Sequence, residues 1–271
     1  MHNIGSIIIT NSDDLHFLRA SLDQILPICK EIVIAIGSKL WNEQDDDMEK
    51  INAFVKEYEA VPRIKFVTYN VPHDKFSFMA NQVTPAMYWE AHARWVALEK
   101  LDSTCEYILF LDADEIVDGA LFSSWLDSGV YKTMDAMKLA NYWYWRTPSL
   151  RARNYIEDSV VFIKRSAFNP FMLFSNMGRH GMFENSKTSN KKREVKDTTN
   201  RVMVHHYSWV RDKNAMLRKV NNWGHRNDRT NWVELVEREF ASSITDNHRD
   251  FLKGLSYDII PDQFRICMTT Q

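Results

Sequence analysis

Between residues 4 and 111 the chain changes its hydrophobic period again and again. Ile4–Thr10 (IGSIIIT) is a short β-branched apolar run of the kind that lies buried in a sheet. Ser12 or Asp13 can then cap a helix, along which Leu15, Leu18, Leu22 and Ile25 recur at helical spacing. The pair repeats. A strand pattern at Glu31–Gly37 is followed by Ile51, Phe54, Val55 and Tyr58 on one helical face. Another at Arg63–Val71 precedes a helix that opens at Pro85 and turns Met87, Ala91, Trp95 and Leu98 inward. Tyr107–Leu111 (YILFL) is the fourth such run. Strands that alternate with helices lie parallel and are covered on both faces. The pattern predicts an α/β fold, a mostly parallel central sheet flanked by helices.

The rhythm changes after Gly119. ALFSSWLDSG reads as a short helix stopped by Gly129, and Asp135–Arg146, Asp158–Ser166 and Arg201–Val210 read as strands. The last third is helical, with Met216, Val220 and Trp223 on one face and Trp232, Leu235, Val236 and Phe240 on another. Lys187–Lys196 (KTSNKKREVK) is expected to be a basic surface loop. No shift in composition marks a boundary, so 1–271 is read as one domain with segments 1–120, 121–210 and a helical tail, 211–271.

The chain has 271 residues, 45% of them hydrophobic and 26% charged, enough for one sizeable core and too apolar for long disorder. A net charge of -2 argues against a nucleic-acid partner. Three scattered cysteines, Cys29, Cys105 and Cys267, suit a reducing compartment, and no apolar run reaches the length of a membrane span. The expectation is a cytoplasmic protein with at most peripheral membrane association.

YILFL runs straight into Asp112, Asp114 and Glu115. At the carboxyl end of a parallel strand this is where α/β folds bind ligands. In extended chain, residues i and i+2 face the same way, and two carboxylates side by side repel unless a cation or proton lies between them. Hard oxygen ligands suit Mg²⁺ or Mn²⁺, and such an ion can neutralise a departing diphosphate.

EYILFLDADEIVDG resembles the metal-binding segment of family-2-type glycosyltransferases of the GT-A fold. SIIITNSDDLHFLRASLDQIL and EIVIAIGS resemble that family's first strand and helix and its second strand. DSVVFIKRSAF, GRHGMFE and VMVHHYSWVRDKNAMLRKVNNWGH resemble the later part of bacterial cell-surface sugar transferases, including those of the lipopolysaccharide core. The resemblance spans roughly 1–225. It implies a nucleotide-diphosphate sugar as donor, bound by segment 1–120. It also implies a glycan or glycolipid acceptor on segment 121–210, and inversion at the anomeric carbon. Asp112, Ala113 and Asp114 would meet the donor, Asp112 and Asp114 the metal. His206, in HHYS, is the best match for the family's late histidine that completes the metal or diphosphate site; His205 and His206 point to opposite faces of a strand, so only one can serve. Thr10 and Asn11 would border base and ribose. Where the family has an Asp at the end of the second strand, this chain has Gly37 and Ser38, so the identity of the nucleotide is open. Glu184, then Asp158, are the candidates for the base that takes the acceptor's proton. Trp145, Arg146 and His180 are the candidates for the acceptor site.

Three other readings compete with this one. A haloacid-dehalogenase-type phosphatase would need Thr or Val where Ile116 stands, and a later Gly-Asp-x-x-x-Asp that is missing. A sugar-phosphate nucleotidyltransferase would need a glycine-rich loop where TNSDDL stands. The third is a nucleotide-sugar-binding protein without catalysis.

Overall fold

A computed structural model describes residues 2–69, 85–174, 178–245 and 248–268, with backbone alone at 85, 86, 158 and 159. The first half follows the predicted alternation. It runs β1 (Ile4–Thr10), α1 (Leu15–Ile25), β2 (Glu31–Gly37), α2 (Met48–Tyr58), β3 (Ile64–Tyr69), α3 (Pro85–Lys100) and β4 (Tyr107–Asp112). The end of the third predicted strand, residues 70 and 71, lies outside the described residues. Strands β4, β1, β2 and β3 are neighbours in that order and all parallel.

Period-two alternation builds a core on each side of this sheet. Ile4, Ile8, Ile32, Ile34, Leu109 and Leu111 point to one side, where Leu18 and Leu22 of α1 and Ile51 and Phe54 of α2 meet them. Ile7, Val33, Ala35, Ile108 and Phe110 point to the other, against Ala93, Ala97 and Leu98 of α3. Strand β2 is buried along its whole length, as its unbroken apolar run requires. Truncating one of these leucines to alanine costs about 2–5 kcal/mol.

The second half is mixed. It comprises β5 (Glu115–Val117), α4 (Gly119–Asp127), β6 (Ala136–Trp145), β7 (Leu150–Ala152), β8 (Ile156–Lys164), α5 (Gly178–Glu184), β9 (Lys191–Val195) and β10 (Val204–Trp209). After these come α6 (Lys213–Asn222), α7 (Trp232–Ala241) and β11 (Tyr257–Ile259). Strand β8 pairs antiparallel with β4 and with β6, and β10 runs parallel to β6. The expected basic loop at 187–196 is in part a strand, because β9 pairs parallel with β6. Its exposed Lys192, Arg193 and Glu194 suit a sheet edge. The tail folds back onto the sheet. Trp145 of β6, Trp209 of β10, Val236 of α7 and Tyr257 of β11 share one apolar cluster.

The register brings the carboxyl ends of the parallel strands to one rim. Ile9 lies beside Asp112, Thr10 beside Ile36, and Gly37 beside Tyr69. There the chain leaves β4 through Ala113 and Asp114 and enters β5, which pairs antiparallel with β10 so that Glu115 faces His206. The N–H of Tyr207 donates to the carbonyl of Asp114 at 2.8 Å, which ties this turn to β10.

Candidate active site

A cavity of about 640 Å³ opens at the rim. Thr10, Asn11, Gly37, Ala113, Asp114 and His206 lie on its wall, as does Asp112. Segments far apart in sequence meet here because strand ends and the β5–β10 pairing converge on one edge of the sheet.

The acidic residues do different work. Asp112 is held by two arginines. Nη2 of Arg94 donates to Oδ1 at 2.6 Å, and Nη2 of Arg179 donates to Oδ2 at 2.7 Å. Arg179 also grips Glu115, its Nη1 donating to Oε2 at 2.5 Å and its Nη2 to Oε1 at 2.8 Å. Oε2 of Glu115 further accepts from the backbone N–H of Asp112 at 2.7 Å. Glu115 is fully buried and Arg179 almost so. Burial opposes the charge on Arg179, but Asp112 and Glu115 outweigh it and raise its pKa well above the ordinary arginine value. This network ends β4 in a fixed shape.

Asp114 is different. It is 5% exposed, yet its carboxylate has cations around it rather than tight partners. Nε2 of His206 is 3.5 Å from Oδ1, while Nζ of Lys219 and Nη2 of Arg211 are 3.6 Å and 3.9 Å from Oδ2. Burial opposes ionisation, but Lys219, then His206 and Arg211, outweigh it and hold the carboxyl well below the usual carboxylate range. Burial, and then Arg211, pull the Lys219 ammonium below its ordinary value. Arg211 is itself paired with buried Asp14.

These distances decide which residues suit a divalent ion. Asp112 does not, since both of its oxygens are engaged by guanidinium groups. Asp114 and His206 do: a carboxylate whose nearest charged partner among the described residues is 3.5 Å away and an imidazole face the same cavity. Among the described residues no group of three or more His, Cys, Asp or Glu side chains converges as a closed metal site. Mg²⁺ commonly takes one or two protein ligands and completes its shell with water and substrate phosphate.

Other expected residues lie elsewhere. His205 turns away from the cavity, with Nδ1 2.8 Å from the Tyr144 hydroxyl. Ser38 is not on the wall; its carbonyl accepts from the N–H of Asp46 at 3.0 Å. Trp145 is fully buried and its indole donates to Glu239 at 2.9 Å, so it has no surface for a sugar. Arg146 stacks 4.5 Å over Phe240 and donates to the carbonyls of Glu239 and Ser242, fastening α7 to the sheet. His180 and Glu184 are off the wall, in a charged network with Lys138, Glu157 and Arg193. Lys138 donates to Nδ1 of His180 at 2.8 Å, and Arg193 to Glu184 at 3.0 Å. Glu184 is thereby tied to an arginine, not poised over the cavity as a base. The side chain of Asp158 lies outside what is described.

The wall also includes groups that the sequence reading passed over. Trp41, Asp46 and Tyr69 form a corner next to Gly37. Trp143, Trp223 and Trp232 form an aromatic side, and at the mouth Nδ1 of His225 is 2.8 Å from Asp228. Lys219 had a signal: Met216, Lys219, Val220 and Trp223 fall at i, i+3, i+4 and i+7, which places a lysine in an apolar stripe.

No protein-family model matches the chain, and no curated protein matches its sequence. Among solved structures, TarS 1–349 of S. aureus is 10% identical over 89% of this chain and 73% of its own, with a TM-score of 0.44. The same fragment in complex with UDP-GlcNAc gives 11%, 89%, 72% and 0.44. The mannosyltransferase PcManGT from Pyrobaculum calidifontis, in complex with GDP-Man and Mn²⁺, gives 11%, 90%, 65% and 0.48. The likeness is one of overall chain course and carries no residue's role across.

Proposed function

We propose that this chain is a glycosyltransferase. It moves a sugar from a nucleoside-diphosphate donor to a hydroxyl of a glycan, lipid-linked or protein-linked acceptor, with inversion and with Mg²⁺ or Mn²⁺. The reading rests on Asp114, a buried, ionised carboxylate ringed by His206, Lys219 and Arg211, on a cavity at the carboxyl ends of parallel strands.

Asp114 and His206 would hold the metal ion, which supplies positive charge to the diphosphate. Lys219 and Arg211 are fixed cations beside the same point. Being preorganised, they stabilise charge that grows on the leaving diphosphate without having to reorient. The aromatic side bounded by Trp143, Trp223 and Trp232 is assigned to the acceptor. The acceptor's proton is assigned to His225, an imidazole that Asp228 already orients. A single displacement needs no covalent sugar–protein intermediate.

Isothermal titration of UDP-, GDP- and dTDP-sugars with and without Mn²⁺, paired with an assay of nucleotide release, tests this. An enzyme binds one donor class and slowly releases its nucleotide to water. A binding protein shows affinity without release. No affinity for any of these donors would sink the proposal.

A further inference from the structure

The positive groups on the cavity wall are not all matched. Arg179 pairs with Asp112 and Glu115, Arg211 with Asp14, Lys219 with Asp114 and Lys39 with Asp45. Lys253 and Arg229 line the same cavity and have no carboxylate partner among the described residues. Each sits over an indole instead. Nζ of Lys253 is 4.3 Å from the ring centroid of Trp143, and the guanidinium of Arg229 is 5.2 Å from that of Trp232.

Lys253 is held in place by more than the indole. Asp250, 4% exposed, accepts from four successive backbone N–H groups: Leu252 at 2.8 Å, Lys253 at 2.5 Å, Gly254 at 3.2 Å and Leu255 at 2.9 Å. It also accepts from the Tyr257 hydroxyl at 2.9 Å. Gly254 takes the left-handed conformation that closes the turn, at φ +68°. A buried carboxylate committed to five donors fixes the backbone that carries Lys253. The lysine therefore starts from a defined place over Trp143, whose ring lies 4.8 Å from that of His206.

Trp143 and Trp232 are each 5% exposed, so what they present to a ligand is chiefly the cation over each ring, and a cation with no counter-charge among the described residues suits an anion. The half-buried Trp223, 5.2 Å from Trp232, offers the apolar contact that suits the C–H face of a sugar ring. We propose that this wall is a subsite for a saccharide carrying a phosphate or carboxylate group. Lys253 is its principal contact and Arg229 a second at the rim. Its assignment to the acceptor rather than the donor rests on the glycosyltransferase reading.

The probes are glucose, glucose 6-phosphate, glucuronate and inorganic phosphate, titrated at millimolar concentrations while tryptophan fluorescence is followed, with and without UDP or GDP. A charged sugar is expected to bind at least tenfold more tightly than glucose or phosphate alone, and the two charged sugars tell phosphate from carboxylate. Lys253→Gln should lose that preference, Lys253→Arg should keep it, and Arg229→Gln should lose part of it. Nucleotide affinity should stay within twofold in all three variants. Equal affinity for charged and neutral sugars overturns the subsite, as does inorganic phosphate binding as well as the sugar phosphate. A parallel fall in nucleotide affinity in Lys253→Gln also overturns it, by assigning the lysine to the donor diphosphate. Failure of every nucleotide to bind the wild type would sink the transferase reading, while sugar discrimination without nucleotide would still decide the subsite.

Discussion

Nε2 of His206 lies 3.5 Å from Oδ1 of Asp114, across the point where β10 pairs with β5. The two side chains reach one cavity from a turn and a strand more than ninety positions apart in sequence. Asp114→Asn keeps the shape and removes the charge that Lys219 and Arg211 face. Nucleotide release should fall by about 10²–10³-fold, the cost typical of losing one preorganised charge-stabilising group. His206→Gln should cost roughly tenfold and weaken the response to added Mn²⁺. Circular dichroism should show both variants folded. Full activity in Asp114→Asn would remove Asp114 from the mechanism.

Arg179 holds fully buried Glu115 with both terminal nitrogens and Asp112 with one. Replacing it with Leu leaves a buried carboxylate without its partner. Such losses cost about 3–5 kcal/mol. Urea unfolding should place Arg179→Leu that far below wild type, and adding Glu115→Gln should recover part of the loss, because the two sites are coupled. If the double variant were no more stable than Arg179→Leu alone, Glu115 would not be the group that Arg179 neutralises.

His205 gives a pH dependence of known sign. It is 3% exposed, and burial pulls its pKa from 6.5 to about 4. Between those values the unfolded chain binds a proton that the folded chain refuses. Stability is therefore complete above pH 6.5 and is lost as the pH falls toward 4, by on the order of 3 kcal/mol. His205→Gln can still accept from the Tyr144 hydroxyl and does not titrate. Unfolding curves at pH 7.5 and 4.5 should show a smaller loss in the variant. An equal loss in both proteins would show that other groups govern acid stability.

What could be read from the sequence was what local pattern encodes. β1 to β4 and the position of Asp112 and Asp114 at a strand end follow from apolar runs long enough to be buried on both faces. The short strands β5, β7 and β11 are three residues each, too brief to carry a period, and form because a partner is present. Lys191–Val195 reads as loop on composition and becomes strand through β6. The aromatic run on β6 does not show in sequence which of its rings the tail will cover. Trp143 and Trp145 point the same way, but the tail covers Trp145 and leaves Trp143 on the cavity. The partners of Asp112, Arg94 and Arg179, come from α3 and α5, and spacing along the chain does not reveal which charges meet.

The corner where the resemblance leads one to expect an Asp has a different construction. Tyr69 lies beside Gly37 in the sheet, and a Cβ placed on Gly37 would come within 2.9 Å of its hydroxyl oxygen, 3.0 Å of Cζ and 3.2 Å of the Lys39 carbonyl. The phenol has little room to withdraw, because Trp89 and His92 of α3 flank it at 6.5 Å and 6.0 Å between centroids. Absence of a side chain at Gly37 is therefore what lets Tyr69 reach the cavity next to Trp41 and Asp46. Asp46 is anchored there by the Ser12 N–H at 3.1 Å and the Ser12 hydroxyl at 2.5 Å. Gly37→Ala should push the phenol out of line and cost about 1–3 kcal/mol of stability, as overpacking does. If this corner holds the nucleobase, calorimetry should show roughly tenfold weaker binding of UDP or GDP, while the response to glucose 6-phosphate on the Trp143 side is unchanged. Unaltered nucleotide affinity together with the expected drop in stability would place the base elsewhere on the cavity wall.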